Sequence, residues 1–130
     1  MRLNLVTIAK GAFSAKTAAT RVVCETHTAW QELWADHTAD EIPTPALPTV
    51  DFSANAVVAV FAGQRPSSGW TVDITRAELE DVSRGRGRRT LTVVYRVAGP
   101  LGPAQDVLTS PFHIAQLPKA GWDRVEFHPG

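Results

Sequence analysis

The residues that could do chemistry in this chain are few, and a serine-rich block comes first among them. The segment Pro66-Ser67-Ser68-Gly69-Trp70 places two hydroxyls beside a glycine. A serine hydrolase of the nucleophile-elbow type needs Gly-x-Ser-x-Gly at a strand-turn-helix junction. This block lacks the first glycine and lies between two predicted strands. We therefore interpret its serines as turn residues whose hydroxyls bond nearby backbone.

Cysteine and histidine chemistry is no better supported. Cys24 is the single cysteine, and it ends an apolar stretch where a buried structural thiol is expected. The four histidines are spread along the chain without metal-ligand spacing: His27, His37, His113 and His128. We therefore predict no metal site, no cofactor and no catalytic residue. His113 stands out only because it follows the segment Thr109-Ser110-Pro111.

The charged residues argue against nucleic-acid binding. Four arginines alternate with glycines in one turn: Arg84, Arg86, Arg88 and Arg89. Three acids precede them, and the whole chain has 13 basic and 13 acidic residues, for a formal net charge of zero. A nucleic-acid binder pairs such a cluster with a basic face or with aromatic stacking platforms. A hairpin tip is the favoured interpretation of the basic turn.

The N-terminal segment Met1–Phe13 carries charges at Arg2 and Lys10. It lacks the uninterrupted apolar run of about 7–15 residues that a signal peptide requires. No stretch approaches the length of a membrane span. We therefore expect no membrane insertion and a cytoplasmic location, or an extracytoplasmic one if a leader has been removed from a longer precursor. The length of 130 residues suits a single domain over residues 1–130.

One helix is predicted, over about residues 28–38. Thr28 with Gln31 three positions later forms a capping-box pattern that makes Thr28 the N-cap. An apolar face follows at positions i, i+3, i+4 and i+7: Trp30, Leu33, Trp34 and His37. The three prolines of the segment Asp40–Pro48 forbid helix and central strand alike, so this segment is predicted to be an extended surface connection.

The remaining pattern predicts strands. They are Leu3–Ile8, ended by Gly11, then Ala18–Cys24, Ala56–Ala62, the regions near 70–82 and 90–97, Phe112–Leu117 and Arg124–Phe127. The continuous apolar run Ala56–Ala62 is typical of a central strand covered on both faces. The predicted fold class is α+β, mainly β, with largely antiparallel sheets of short strands and one packed helix.

Strand parity points to a binding surface. If the strands form a simple meander, the loops Gly63–Gly69 and Ala98–Ser110 lie at one end of the sheet. The basic turn Ser83–Arg89 then lies at the opposite end. Both loops at the shared end are rich in glycine and proline, and loops on a rigid scaffold are where binding usually resides.

From Gly11 onward the sequence resembles the PrcB-like family, domains related to an accessory subunit of a bacterial protease complex. The resemblance rests on several blocks: Lys10-Gly11 with Ser14, Trp30–Trp34, Val50–Ser53, Gly63–Trp70 with Val72 and Ile74, and Gln105 with Leu108–Ile114, Leu117 and Pro118. It implies a protein-partner role without catalysis, in which the partner is a protease or another protein.

The combined hypothesis is a non-enzymatic accessory or stabilising domain. We expect its partner-binding residues to be Gly63, Arg65, Pro66, Ser67, Ser68, Gly69, Trp70, Gln105, Thr109, Ser110, Pro111 and His113. Arg65 offers a planar donor fork that suits a carboxylate. One alternative is a direct peptidase inhibitor, because Pro66–Trp70 loosely resembles the Asn-Pro-Thr-Thr-Gly-aromatic loop of chagasin-like inhibitors. A more distant alternative is a module that binds a small ligand or a carbohydrate.

Overall fold

The computed structural model describes residues 1–81 and 88–130. Arg84 and Arg86 of the basic turn lie outside the described residues. Within the described ranges run eight strands and one helix: β1 (Arg2–Leu3), β2 (Val6–Gly11), β3 (Thr20–Cys24), α1 (His27–His37), β4 (Asn55–Phe61), β5 (Thr71–Asp81), β6 (Arg89–Ala98), β7 (Phe112–Pro118) and β8 (Arg124–Pro129).

The strands form two four-stranded sheets. One has the order β1-β5-β6-β8 and is called the β5–β6 sheet; the other has the order β2-β7-β4-β3 and is called the β4–β7 sheet. Neighbouring strands are antiparallel, apart from the parallel pair of β6 and β8. The predicted fold class, mainly β with one helix and largely antiparallel pairing, is confirmed.

Strand β4 lies between two apolar layers. Side chains alternate along a strand, so Val58 and Val60 point between the two sheets, where they join Val72 and Leu91 in one core cluster. The intervening residues of β4 point to the other face of the β4–β7 sheet and form a second cluster with the helix. The interpretation of Ala56–Ala62 as a strand covered on both faces is therefore correct.

Helix α1 covers the outer face of the β4–β7 sheet. Trp30, Leu33 and Trp34 are buried there, and they contact the side of β4 opposite to Val58 and Val60. The indole N–H groups of Trp30 and Trp34 donate to the carbonyls of Pro48 (2.9 Å) and Pro45 (3.0 Å). The proline-rich connection thus satisfies the polar atoms of the aromatic core.

The predicted N-cap of the helix was wrong by two residues. Thr26, not Thr28, has the extended backbone of an N-cap, and its hydroxyl accepts from the Ala29 N–H (3.2 Å). Both positions hold a threonine. The Thr26 carbonyl also accepts the first hydrogen bond of the helix, from the Trp30 N–H (3.1 Å). The N-terminus of the helix is therefore capped by the Thr26 hydroxyl, and not by the predicted capping box of Thr28 and Gln31.

The N-terminal strand was also predicted incorrectly. Leu3–Ile8 is not one strand: β1 pairs with β5 in one sheet and β2 pairs with β7 in the other. The strand does end at Gly11, as predicted: Gly11 is the last residue of β2 and pairs with Phe112. Both sheets offer a free edge to this segment, and the alternation of apolar residues is the same in either pairing.

The meander assumption was wrong, although the two loops still meet. Strand β4 neighbours β7, while the hairpin of β5 and β6 belongs to the other sheet. The loops 62–70 and 99–111 therefore cross between the sheets. They share one end because Phe61 pairs with Phe112 and Thr71 pairs with Ala98. The hairpin of β5 and β6 packs on the second apolar face of β4. In a flat meander that face of β4 would be exposed to water.

Candidate functional site

The two crossing loops, Gly63–Trp70 and Gly99–His113, are bonded to each other and are called the loop surface. The Arg65 N–H donates to the Thr109 carbonyl (2.7 Å), and the Thr109 N–H donates back to the Arg65 carbonyl (3.0 Å). Gln105 and Ser68 are joined in the same way, with the Ser68 N–H donating to the Gln105 carbonyl (3.0 Å) and the Gln105 N–H to Ser68 Oγ (2.9 Å). The loops therefore form one unit.

The hydroxyls of the serine-rich block serve this local structure. Ser67 Oγ donates to the Ser68 carbonyl (3.1 Å), and the Thr109 hydroxyl donates to the Ser67 carbonyl (2.9 Å). Ser68 Oγ is occupied by the Gln105 N–H. These contacts match the interpretation of the serines as turn residues and give neither of them the hydrogen-bonded histidine that a nucleophile requires.

Gly69 holds a backbone shape that other residues resist. Its φ is +87°, in the left-handed region, and a Cβ built on it would lie 2.6 Å from Pro100 Cβ. Gly69 thus allows the two loops to approach each other closely.

Arg65 is turned toward its own domain. Its guanidinium lies over the Trp70 ring at 4.5 Å from the ring centroid, and Nη2 donates to the Ala62 carbonyl (3.2 Å). Its Nε is buried and has no hydrogen-bond partner in the described residues. Of the donors predicted from the sequence, Nη2 is therefore already hydrogen-bonded within the domain, and Nε is buried without a hydrogen-bond partner.

His113 is buried and both of its ring nitrogens are engaged. The Ile74 N–H donates to Nδ1 (2.8 Å), which leaves Nε2 protonated and donating to the Thr7 hydroxyl (2.8 Å). Burial and the nearby Lys10 ammonium lower the pKa of His113, so the neutral ring is favoured. The histidine links three strands, and neither nitrogen is available as a metal ligand. Within the described residues no group of three His, Cys, Asp or Glu side chains could hold a metal ion.

The other predicted site residues divide by exposure. Three of the predicted residues are exposed: Pro66, Gly69 and Gln105. Four are half-buried: Arg65, Ser67, Ser68 and Trp70. The rest are buried: Gly63, Thr109, Ser110, Pro111 and His113. A partner could touch the first set directly, whereas the buried set can only shape the surface that the partner meets.

Exposed apolar side chains on the loop surface were missed by the sequence reasoning. Leu101 is fully exposed and Leu108 is 61% exposed, with Val107 beside it. Leu108 and the 67% exposed Phe13 line the same cavity of about 370 Å³. Leucines in a loop carry no periodic signal, so only the folded arrangement reveals that they stay in water.

A serine–histidine pair on the wall of that cavity was also missed. His37 Nδ1 lies 2.7 Å from Ser14 Oγ, although the residues are 23 positions apart. Ser14 Oγ also accepts the Lys16 N–H (3.0 Å), as in a serine turn. Burial lowers the pKa of His37. The ring packs 4.2 Å from the Phe112 ring centroid, so we interpret the pair as a satisfied polar contact within the aromatic core.

Cys24 has the environment of a buried structural thiol. It is buried at the end of β3, and burial raises the pKa of its thiol to about 11. The thiolate, which is the reactive form, is therefore scarce at neutral pH.

In the described ranges, no helix has the length and apolar character needed to cross a membrane.

Part of the chain matches a known family. Residues 56–118 match the family model described as PrcB C-terminal. The matched range runs from β4 to β7 and contains both loops of the loop surface. Three blocks of the resemblance lie outside it: Lys10–Ser14, Trp30–Trp34 and Val50–Ser53. No curated protein and no solved structure matches the chain. The resemblance to the PrcB-like family is thus confirmed over residues 56–118.

Proposed function

We propose that this protein is a non-enzymatic accessory domain that binds a protein partner, a protease in the first instance, through the loop surface. The family match supports an accessory role in a protease complex. The observation that carries the proposal is the set of apolar side chains held in water on the loop surface: Leu101, Val107 and Leu108. Val107 and Leu108 are neighbours in the chain, and Leu108 lines the same cavity as the exposed Phe13; contiguous exposed apolar groups mark interaction sites.

The rigidity of the loop surface supports binding as well. Five hydrogen bonds with backbone or hydroxyl partners join the two loops, through Arg65, Ser67, Ser68, Gln105 and Thr109. Loops that are ordered before binding lose little conformational entropy when a partner docks. The exposed residues Pro66 and Gln105 would form the polar and proline rim around the apolar centre.

The test is affinity capture with surface variants. The protein and its Leu101→Ser and Leu108→Ser variants are immobilised and exposed to extract of the source organism, and retained proteins are identified by mass spectrometry. The control is Val6→Ser, which changes an exposed apolar residue on the edge strand β2, paired with Gln116 far from the loops. We expect a specific protein that the wild type and Val6→Ser retain and the two loop variants lose.

Two outcomes decide the matter. Equal retention by all four proteins would contradict the loop surface as the interface. With the captured protein purified, an accessory role predicts that adding the domain raises its thermal stability. If the partner is a peptidase and its hydrolysis of a peptide substrate stops on addition, the inhibitor alternative is favoured over the accessory one.

A further inference from the structure

A second cavity, distinct from the one beside Phe13, opens between the two sheets. It has a volume of about 280 Å³ and lies beside β3, the edge strand of the β4–β7 sheet. Its polar lining includes Arg21, Arg65 and Tyr95, and its apolar lining includes Val60 and Val97. We call it the arginine crevice. At about 280 Å³ it is slightly smaller than ordinary ligand pockets of about 300–1,000 Å³, so it suits a small molecule or one side chain.

Strand pairing explains why Arg21 is there. Arg21 lies opposite Val60 in the antiparallel pair of β3 and β4, and directly opposed residues share a face of the sheet. Val60 faces the core between the sheets, so Arg21 projects into the same gap at its open edge. It reaches the other sheet, where its Nη1 donates to the Tyr95 hydroxyl (3.1 Å). Because Tyr95 accepts this bond, its own O–H is free to donate.

The charge of the arginine crevice is not balanced. Across residues 1–81 and 88–130, neither Arg21 nor Arg65 lies within ion-pair distance of a carboxylate, and no acid lines the crevice. Other cations do have such partners, for example Arg76 with Glu78 (3.4 Å) and Arg124 with Glu126 (3.4 Å). Two arginines therefore line one partly enclosed space, where the repulsion between their charges is less screened than in water.

Arg65 supplies an independent observation that favours an anion in the crevice. Its Nε is buried without a hydrogen-bond partner, while its Nη2 and its aromatic contact hold the guanidinium in place. Buried donors of a charged group are costly when unsatisfied. An anion in the crevice would offset that cost by neutralising the guanidinium, even where it bonds only the accessible nitrogens.

We propose that the arginine crevice binds a carboxylate carried on a short apolar body. The carboxylate oxygens accept from the guanidinium groups of Arg21 and Arg65, and the Tyr95 hydroxyl provides a third donor. The apolar body contacts Val60 and Val97. The ligand is a small branched carboxylic acid or the C-terminal residue of a peptide, which have this chemistry in common. The proposal does not require the protein partner of the loop surface.

The experiment follows binding by NMR in ¹⁵N-labelled protein. The probes are isovalerate, its neutral isostere isovaleramide, inorganic phosphate, and a peptide ending in valine with either a free or an amidated C-terminus. We expect isovalerate to shift the amides of Arg21 and Tyr95 and the Arg65 Nε–H, and isovaleramide to leave them unchanged. Binding of the free-acid peptide more tightly than isovalerate would assign the site to C-termini; the reverse would assign it to free acids.

The decisive variant is Arg21→Gln, because Arg21 is exposed on an edge strand and its loss should not unfold the domain. We expect it to weaken isovalerate binding about tenfold, the scale of one charge-assisted hydrogen bond. The matched control is Arg124→Gln, an exposed arginine outside the crevice, which should bind as the wild type does. Tyr95→Phe should weaken binding by a smaller factor.

Three results would overturn the proposal: equal binding of isovaleramide, phosphate binding as tightly as isovalerate, or an equal loss in Arg21→Gln and Arg124→Gln. These results are independent of the partner-capture test. Leu101 and Leu108 do not line the arginine crevice, so a failure of the loop surface leaves isovalerate binding intact.

Discussion

The helix-covered face of the β4–β7 sheet and the loop surface are stabilised in opposite ways. On the helix-covered face, Trp30, Trp34 and Phe61 are buried, and the two indole rings lie 5.5 Å apart. On the loop surface, backbone and hydroxyl hydrogen bonds hold the chain while Leu101 and Leu108 remain in water. Large apolar residues therefore stabilise the fold on the helix-covered face, whereas on the loop surface they are exposed and accessible to a partner.

The two regions meet at the ends of two paired strands. Phe61 closes β4 and Phe112 opens β7, and their rings stack at 6.3 Å between centroids. Beyond this pair the loops begin. Stability generated by the aromatic core can therefore hold the loop ends at a fixed spacing while the loops themselves contribute little burial. Variants in the two regions should separate stability from binding.

The largest effect is expected from Trp34→Ala on the helix-covered face. Removal of this buried indole leaves a cavity against β4 and an unpaired Pro45 carbonyl, so the free energy of unfolding should fall by about 3–5 kcal/mol. Urea unfolding followed by circular dichroism measures the loss. The comparison variant is Trp70→Ala on the loop surface, where the ring is half-buried and a smaller loss is expected. Equal losses would mean that the loop surface also belongs to the stabilising core.

A smaller effect on stability is expected from Gly69→Val. The substitution places a β-branched residue at a φ of +87° and a Cβ 2.6 Å from Pro100 Cβ. The strain should cost about 1–3 kcal/mol, and the loop should distort to relieve part of it. Amide chemical shifts of Ser68 and Gln105 would report the distortion, and capture of the partner should be lost. Gly102→Val is the control, because its Cβ meets nothing within 4 Å; a similar response to both would rule out the steric explanation.

Features that depend on residues close together in the sequence were predicted, whereas features that depend on distant residues were not. The apolar run of Ala56–Ala62 and the aromatic face of Trp30 and Trp34 depend on near neighbours, and both predictions were confirmed. The order of the strands depends on which apolar faces cover one another, which a single strand's pattern does not encode. The division of Leu3–Ile8 between two sheets was missed for the same reason.

The unusual backbone of the loops was predicted for a different reason. Glycine and proline at Gly63, Gly69 and Pro66 mark unusual backbone, and the structure shows the two glycines at positive φ. The contacts that give the region its chemistry join distant positions: Ser14 with His37, and Arg21 with Tyr95. Pairs of this kind have no spacing rule. The inward orientation of Arg65 was equally unpredictable, since it follows from the placement of the Trp70 ring.

The smallest effect is expected from pH, and it compares one buried histidine from each core. His37 lies on the helix-covered face and His113 lies where β2, β7 and β5 meet. Burial lowers the pKa of both below the ordinary 6.5. Below that pH the unfolded chain binds protons that the folded chain does not, which favours unfolding. Stability is therefore complete above pH 6.5 and falls as the pH drops toward the lowered pKa values, and melting temperatures from pH 8 to pH 5 would show it.

The histidine variants separate the two regions. In His113→Asn the side-chain amide oxygen replaces Nδ1 as the acceptor for the Ile74 N–H, while nothing at that position titrates. His37→Asn likewise retains a polar group near Ser14 Oγ. Each variant should lose stability at pH 8 and show a flatter decline toward pH 5 than the wild type. If His113→Asn declined as steeply as the wild type while His37→Asn did not, the helix-covered face alone would control the acid sensitivity. The neutral His113 would then contribute its hydrogen bonds to Ile74 and Thr7 without contributing to the pH dependence.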